Sequence, residues 1–395
     1  MDRRKFLNTG ATLSLLSPVM NRAFAAAIDD ARFVLVILRG GLDGLAAVPA
    51  YGENRYRSLR GSLALGEPGT EGGTLRLDGL FGLHPSLTNL HRMYGDQELA
   101  VVHAVASPYR ERSHFDGQKV LEAGGTTPSI SAGGWLNRAL AALAAENLGH
   151  DAIALADTVP LVLRGPVPVS AWAPSRLPDT DEDTFARIRN MYEAADPDLA
   201  VRLTDALNAR DIAGQNGMGG MRGGGPQFAP LASAAARFLA DDAGPRIAVI
   251  DAGGWDTHAN QGASRGALAN RLQQLDAGVG ALRDELGSHW ERTTVMIVTE
   301  FGRTVAVNGT RGTDHGTASA AFVAGGAVAG GRVIADWPGL AERELFDGRD
   351  LNPTTDLRAL FKGVLGEQYG LSARALETEV FPGSETIEPL NLGRG

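Results

Sequence analysis

The chain reads as an α/β protein, with buried strands alternating with helices, on three observations. Predominantly apolar runs of strand length recur at residues 33–38, 99–105, 246–250 and 295–299, and runs without polar alternation read as strands covered on both faces. Helical periodicity lies between them. It is clearest where Leu268, Leu272, Leu275, Val279, Leu282 and Leu286 recur at steps of four and three, one apolar stripe facing a core. Finally, several runs end in glycine and an acid, at the carboxyl edge where open α/β sheets collect ligands.

The composition fits this class. The 395 residues are 44% hydrophobic and 21% charged, enough to bury one large core, with room for an insertion. The chain holds 37 basic and 46 acidic residues, and residues 1–25 account for four of the basic ones and one acid. The remainder therefore balances 33 basic against 45 acidic. That sign excludes nucleic acid and an anionic membrane surface as expected partners, since both require clustered Lys and Arg. With no cysteine in the chain, disulfides, lipid-modified cysteine and thiolate metal sites are excluded, so any metal is held by imidazole and oxygen.

Residues 1–25 read as an export signal of the twin-arginine type. Arg3-Arg4 is followed by Phe6-Leu7, an apolar stretch softened by Asn8, Thr9, Gly10 and Pro18, and the small-residue cleavage site Ala23-Phe24-Ala25. The apolar core is too short and interrupted to span a bilayer, so no stable membrane anchor is expected. The twin-arginine translocase is then an expected partner and the periplasm or the outside medium the expected location.

After this segment, residues 33–38 form the first buried strand, which runs into Arg39-Gly-Gly-Leu-Asp43-Gly44. Glycines there allow a sharp turn that brings Asp43 to the sheet edge, as a metal ligand or as the N-cap of a following helix. A short helix is expected over residues 86–94 and a second strand over 99–105, with His103 as a core histidine. Ser113 then opens a helical pattern, flanked by Arg110 and Arg112. A hydroxyl at a helix N-terminus sits among amides that hold anions, which suits a nucleophile and equally an ordinary cap. His114 and Asp116 are either ligands or surface residues. From about 150 to 245 the pattern changes: short β-like runs at 160–163 and 167–169, a helical stretch over 183–209, a Gly/Met-rich segment over 214–225 and a helix over 231–240, read together as an inserted cap region. The third strand, 246–250, leads to Asp251 and Asp256-Thr-His258, a two-residue spacing that points both side chains one way in extended backbone.

The long amphipathic helix delivers the chain to residues 292–332. The buried run 295–299 ends at Glu300, Arg303 follows, and a Gly-rich loop reaches Asp314-His315-Gly316 before a second apolar run, 320–328. Asp314-His315 is either a polar turn between strands or part of a site. Carboxylates at the ends of several strands, with His258 and His315 in adjacent loops and no sulfur, suit zinc, manganese or magnesium, as one ion or two.

The segments LRGGLDGL, ERSHFDGQ, GGWDTHANQ, VTEFGRT and GTDHGTASAAFVAGG, in that order, resemble the exported bacterial family of domain of unknown function 1501. More remotely the chain is similar to the alkaline phosphatase superfamily of sulfatases, phosphatases and phosphomutases. The resemblance implies an alkaline-phosphatase-like three-layer sandwich over residues 26–395, a mostly parallel central sheet flanked by helices, and a metal site at its carboxyl edge. It implies Ser113 as nucleophile, Asp43, Asp256, His258 and His315 as ligands, with Glu300 and Asp314 as further candidates, and Arg110, Arg112 or Arg303 steadying an anion. The chain departs from the superfamily where an Asp-His pair belongs and Glu300-Phe301 stands, which leaves the expected site one imidazole short.

The expected function is hydrolysis of small-molecule or polymer-linked phosphate or sulfate esters, dependent on a divalent metal. The alternative is an exported binding or assembly protein that keeps the scaffold without turnover, which the missing imidazole favours.

Overall fold

A computed structural model of the chain describes residues 30–394 apart from 131–132, 147, 175–181 and 214–227. The export signal expected at residues 1–25 and the Gly/Met-rich segment therefore lie outside the described residues. Among the described residues no helix is long and apolar enough to cross a membrane.

The core is a nine-stranded sheet. Its strands are β1 (Arg32–Arg39), β4 (Leu99–Ala106), β5 (Ala152–Leu155), β6 (Ser170–Ala171), β7 (Ile247–Gly253), β8 (Thr293–Thr299), β9 (Ser319–Ala324), β10 (Arg332–Ile334) and β11 (Thr355–Asp356). A separate hairpin pairs β2 (Leu75–Arg76) with β3 (Gly82–Leu83). The sheet order is β10-β4-β9-β8-β1-β7-β5-β6, with β11 added alongside β4. All pairings are parallel except those of β9, which runs antiparallel to both β4 and β8. The expected mixed, mostly parallel sheet flanked by helices is thus present.

Strand β1 shows why the sheet is covered on both faces. Phe33, Leu35 and Ile37 pack into one apolar cluster, while Val34, Val36 and Leu38 pack into the other, as the two-residue period of a strand requires. The second face carries α3 (Thr88–Gly95), α8 (Phe228–Ala240) and α9 (Ala267–Leu286), whose Leu90, Leu231, Leu272 and Val279 enter its core. The first face carries α5 (Trp135–Ala145) and α10 (Leu357–Tyr369), through Trp135, Leu136, Leu360 and Phe361. Three layers result.

Residues 150–245 are divided between roles. Here β5 and β6 extend the main sheet beyond β7, and α8 is core, whereas α6 (Glu182–Ala195) and α7 (Pro197–Ala213) pack on one another. The expected β-like run at 160–163 is instead a 3-10 turn, Leu161–Leu163. A three-residue apolar run is too short for its period to separate turn from strand.

Remaining helices are short or lie at the sheet edge: α1 (Gly44–Ala47), α2 (Tyr56–Arg60), α4 (His114–Ala123) and α11 (Ala373–Ala375). The carboxyl ends of β1, β7 and β8 lie in register, with Leu38 opposite Thr299 and Arg39 opposite Gly253. Because β9 runs the other way, its amino end, just after His315, comes to the same edge.

Candidate metal centre

Four elements each bring one residue or more to a single cluster at this edge. The loop after β4 ends at α4, whose first residue is His114; the loop after β7 carries Asp256 and His258; Glu300 follows β8; and Asp314-His315 precedes β9. Close backbone approach makes this possible. At Gly40, with φ of 123°, a Cβ would lie 2.5 Å from the Asp256 backbone nitrogen, and at Gly312 one would lie 2.3 Å from the His258 carbonyl oxygen, so only glycine fits either position.

The ligand atoms of His114, Asp256 and His315 all lie within 4.8 Å of one another. Around Asp256 Oδ1, His258 Nε2 lies at 3.0 Å, His315 Nε2 at 3.3 Å and His114 Nε2 at 3.5 Å. His258 Nε2 and His315 Nε2 are 2.9 Å apart. The contacts form two triangles that share the edge from Asp256 to His315, with His114 at one apex and His258 at the other.

In each imidazole the other nitrogen is already engaged. His114 Nδ1 lies 2.7 Å from Glu300 Oε1, His258 Nδ1 lies 3.2 Å from Asp314 Oδ1 and His315 Nδ1 lies 2.8 Å from the Arg112 carbonyl oxygen. Carbonyl and carboxylate oxygens only accept, so each Nδ1 donates to its partner, and each ring turns its Nε2 inward, towards Asp256 Oδ1. Burial works to raise the Glu300 carboxyl, but hydrogen bonds from His114, its own backbone N–H, Gln118 and Gly40 outweigh it and hold the group below its ordinary value. Asp256 also feels burial, which Arg303 outweighs by hydrogen bond and charge, so its carboxyl is lowered too. Both are therefore anions at neutral pH. The Glu300 hydrogen bond raises His114, against the effect of burial. Burial lowers His315.

His114, Asp256 and His315 form a donor set that fits a divalent cation, with His258 beside it and outside that group. Imidazoles and a carboxylate without sulfur are ligands that zinc and its borderline neighbours take. A tetrahedron with bonds of about 2.0–2.1 Å has edges of about 3.3 Å, the scale of the separations around Asp256 Oδ1. His114 Nε2 is buried without a hydrogen-bond partner, and the Nε2 atoms of His258 and His315 meet at 2.9 Å, a contact that needs a proton or a cation between the two nitrogens. Carboxylate and carbonyl groups behind each ring are the usual means of orienting metal-binding histidines. The floor is closed by fully buried Glu300 and Arg303 side chains, while those of Asp256, His258 and Asp314 are 42%, 44% and 55% exposed, so the cluster opens to solvent on one side.

The other candidates are placed differently. Asp43 is not among the clustered ligands. It is buried, caps α1 by accepting from the Ala46 N–H, pairs with Arg60 and accepts from Gln261 Nε2 at 2.6 Å. Gln261 Oε1 in turn accepts from Thr257 and Thr313 at 2.8 and 2.9 Å, so Asp43 supports from below the two loops that carry His258 and Asp314. Glu300 and Asp314 stand behind His114 and His258, in contact with Nδ1.

The three arginines expected to meet an anion are engaged elsewhere. Arg110 donates to the Ser107 and Tyr109 carbonyls, and Arg112 pairs with Asp347 and Asp350. Arg303, fully buried, donates to Asp256 Oδ1 at 2.5 Å and to Thr313. Ser113 is the N-cap of α4, its side chain makes no capping hydrogen bond, and its backbone N–H donates to the Tyr109 hydroxyl. His103 is a core residue as expected: fully buried, hydrogen-bonded to Val48 O at 3.0 Å and pushed down to about 4 by burial. His114, read from the sequence as either a ligand or a surface residue, lies in the cluster with Asp256 and His315. Its signal in the sequence is its place directly after Ser113, at a helix start beyond a buried strand.

The chain belongs to the family described as Protein of unknown function (DUF1501), whose model matches residues 80–380. No curated protein matches it in sequence. Among solved structures, the phosphonate monoester hydrolase of Agrobacterium radiobacter is 14% identical over 86% of this chain and 74% of its own, with a TM-score of 0.35. The lipoteichoic acid synthase LtaP from Listeria monocytogenes is 9% identical over 89% and 76%, with a TM-score of 0.41. The C-terminal periplasmic domain of EcEptC from Escherichia coli is 11% identical over 89% and 86%, with a TM-score of 0.36. Overlaps this loose leave the activity to be argued from the site itself.

Proposed function

We propose that this DUF1501 protein is an exported hydrolase of phosphate or sulfate esters that works with a divalent metal held by His114, Asp256, His258 and His315. The observation that carries the reading is the orphaned, buried Nε2 of His114, facing the inward nitrogens of two other tethered imidazoles. A bound divalent ion supplies Lewis acidity and lowers the pKa of a nearby hydroxyl.

The chain's own residues do the rest. Glu300 and Asp314 hold the protons on the Nδ1 atoms of His114 and His258 and so keep Nε2 available. Ser113 is the nucleophile: its Oγ gives its proton to solvent and bonds to the phosphorus or sulfur atom as the bond to the ester oxygen breaks, that oxygen leaves as the alcohol with a proton from solvent, and water later hydrolyses the enzyme-bound ester and restores the Ser113 hydroxyl. The first-turn amides of α4 face the anion. The test compares parent and Ser113→Ala in hydrolysis of aryl phosphates and aryl sulfates across several divalent metals. The variant is expected to lose turnover and keep its metal; activity that survives it contradicts the nucleophile.

A second reading, an exported binding or assembly protein, is favoured by one observation. Arg110, Arg112 and Arg303 are all committed to internal partners, so none of the three meets an incoming oxyanion. Metal uptake by the parent without turnover of any ester tried would select this reading.

A further inference from the structure

We propose that Arg112 is a positioning residue for His315, an inference that rests on the metal reading above. Arg112 has a φ of 59°, a left-handed conformation that a residue with a Cβ adopts at a cost. Its carbonyl, turned by that conformation, accepts from His315 Nδ1 at 2.8 Å and thereby assigns His315 Nε2 to the cluster. The side chain is held at three points. Its Nε donates to the fully buried Asp350 at 2.8 Å, its Nη2 to Asp347 at 2.8 Å, and its guanidinium lies 5.8 Å from the centre of the Phe346 ring.

All three anchors come from one turn, residues 346–350, closed by paired backbone hydrogen bonds between Phe346 and Asp350 at 2.9 and 3.0 Å. The same turn also reaches the backbone of His315, since Arg349 donates to the His315 carbonyl. It is also tied to the stretch after Arg303, through the Val305 N–H and the Arg349 carbonyl at 3.3 Å. His315 is thus gripped through its ring by the Arg112 backbone and through its own backbone by Arg349. A strained carbonyl that a half-buried ion pair with Asp350 holds in place has a reason to be there if His315 must present one particular nitrogen. The contacts of Arg112 at the cluster are to His315, so Arg112 acts through His315.

The test uses the full mature protein and cobalt(II), whose visible absorption reports coordination. Parent, Arg112→Gly, Arg112→Ala and Asp347→Asn are titrated, and the melting temperature of each is recorded without metal. Glycine adopts the left-handed conformation freely, so Arg112→Gly keeps the backbone turn and removes only the grip. The inference expects cobalt affinity to fall about 10- to 100-fold in Arg112→Gly and Arg112→Ala, the range for losing an outer-shell partner of a metal ligand, with an altered absorption band. Asp347 is exposed at the rim, so Asp347→Asn is expected to fold normally and to weaken cobalt binding by less, keeping the idea testable should the Arg112 variants fail to fold. Variants that bind cobalt as tightly as a cobalt-binding parent, with the same spectrum, overturn the inference alone. A parent that takes up no cobalt overturns the metal reading and this inference with it.

Discussion

His114 donates its Nδ1–H to Glu300 across 2.7 Å, tying the amino end of α4 to the carboxyl end of β8. Together they turn a helix-start imidazole into an oriented group. Glu300 also accepts from Gly40 N at 2.9 Å and Gln118 Nε2 at 3.1 Å, so the carboxylate that fixes His114 is itself fixed by the turn after β1. Replacing Glu300 by Gln keeps the shape and removes the charge. Metal affinity is expected to fall about 10- to 100-fold, as for other outer-shell partners, measured by competition with a chelator. Unchanged affinity would show that Glu300 does not act on His114.

Asp43 separates support from coordination. Truncating it leaves Arg60 buried without its carboxylate, and breaking a buried pair costs on the order of 3–5 kcal/mol. Asp43→Ala is therefore expected to lower stability in urea unfolding by about that much, while the fraction that stays folded keeps its metal stoichiometry. Loss of metal at unchanged stability would make Asp43 a ligand after all.

His103 gives a pH signature independent of the metal. Burial lowers its pKa from 6.5 to about 4, so the folded state favours the neutral ring. The stability this contributes is complete above the unfolded value of 6.5 and is lost as pH falls from there towards 4, to a total of about 3 kcal/mol. In metal-free protein, the stability of the parent is expected to drop over that window more steeply than that of His103→Gln. Parallel slopes would show that His103 is not buried neutral.

Export is tested on the precursor. The apolar core of residues 1–25 is weak, so recognition rests on the arginine pair, and changing Arg3 and Arg4 together to Lys is expected to leave the precursor in the cytoplasm. Fractionation that finds the variant exported normally defeats the assignment.

Much of the scaffold is legible in the chain because the property that buries a strand is the property read. β1, β7 and β8 are built on unbroken apolar runs and β4 on one interrupted only by His103, and α9 repeats its leucines over 20 residues. The reversal of β9 is not legible, because a strand's apolarity carries no direction, and β6, β10 and β11 are two or three residues long, below any period. At the site, Asp256, His258 and His315 stand out because they lie close to strand ends. His114 does not, since its place depends on a seven-residue loop between β4 and α4 whose path no local pattern encodes. The roles of Asp43, Arg110 and Arg112 escape for a related reason: a sequence displays a charge, but its partner, Arg60, a backbone carbonyl or Asp350, is chosen by the fold.

The most direct test of the account is metal content. Purified parent and His114→Ala, both confirmed folded, are analysed for divalent metal per chain after loading and exhaustive buffer exchange. A stoichiometric ion is expected in the parent, and its loss, or retention far below one per chain, in the variant. A parent that holds no divalent metal, or a His114→Ala protein that holds as much as the parent, would contradict the central claim that His114 completes a metal centre.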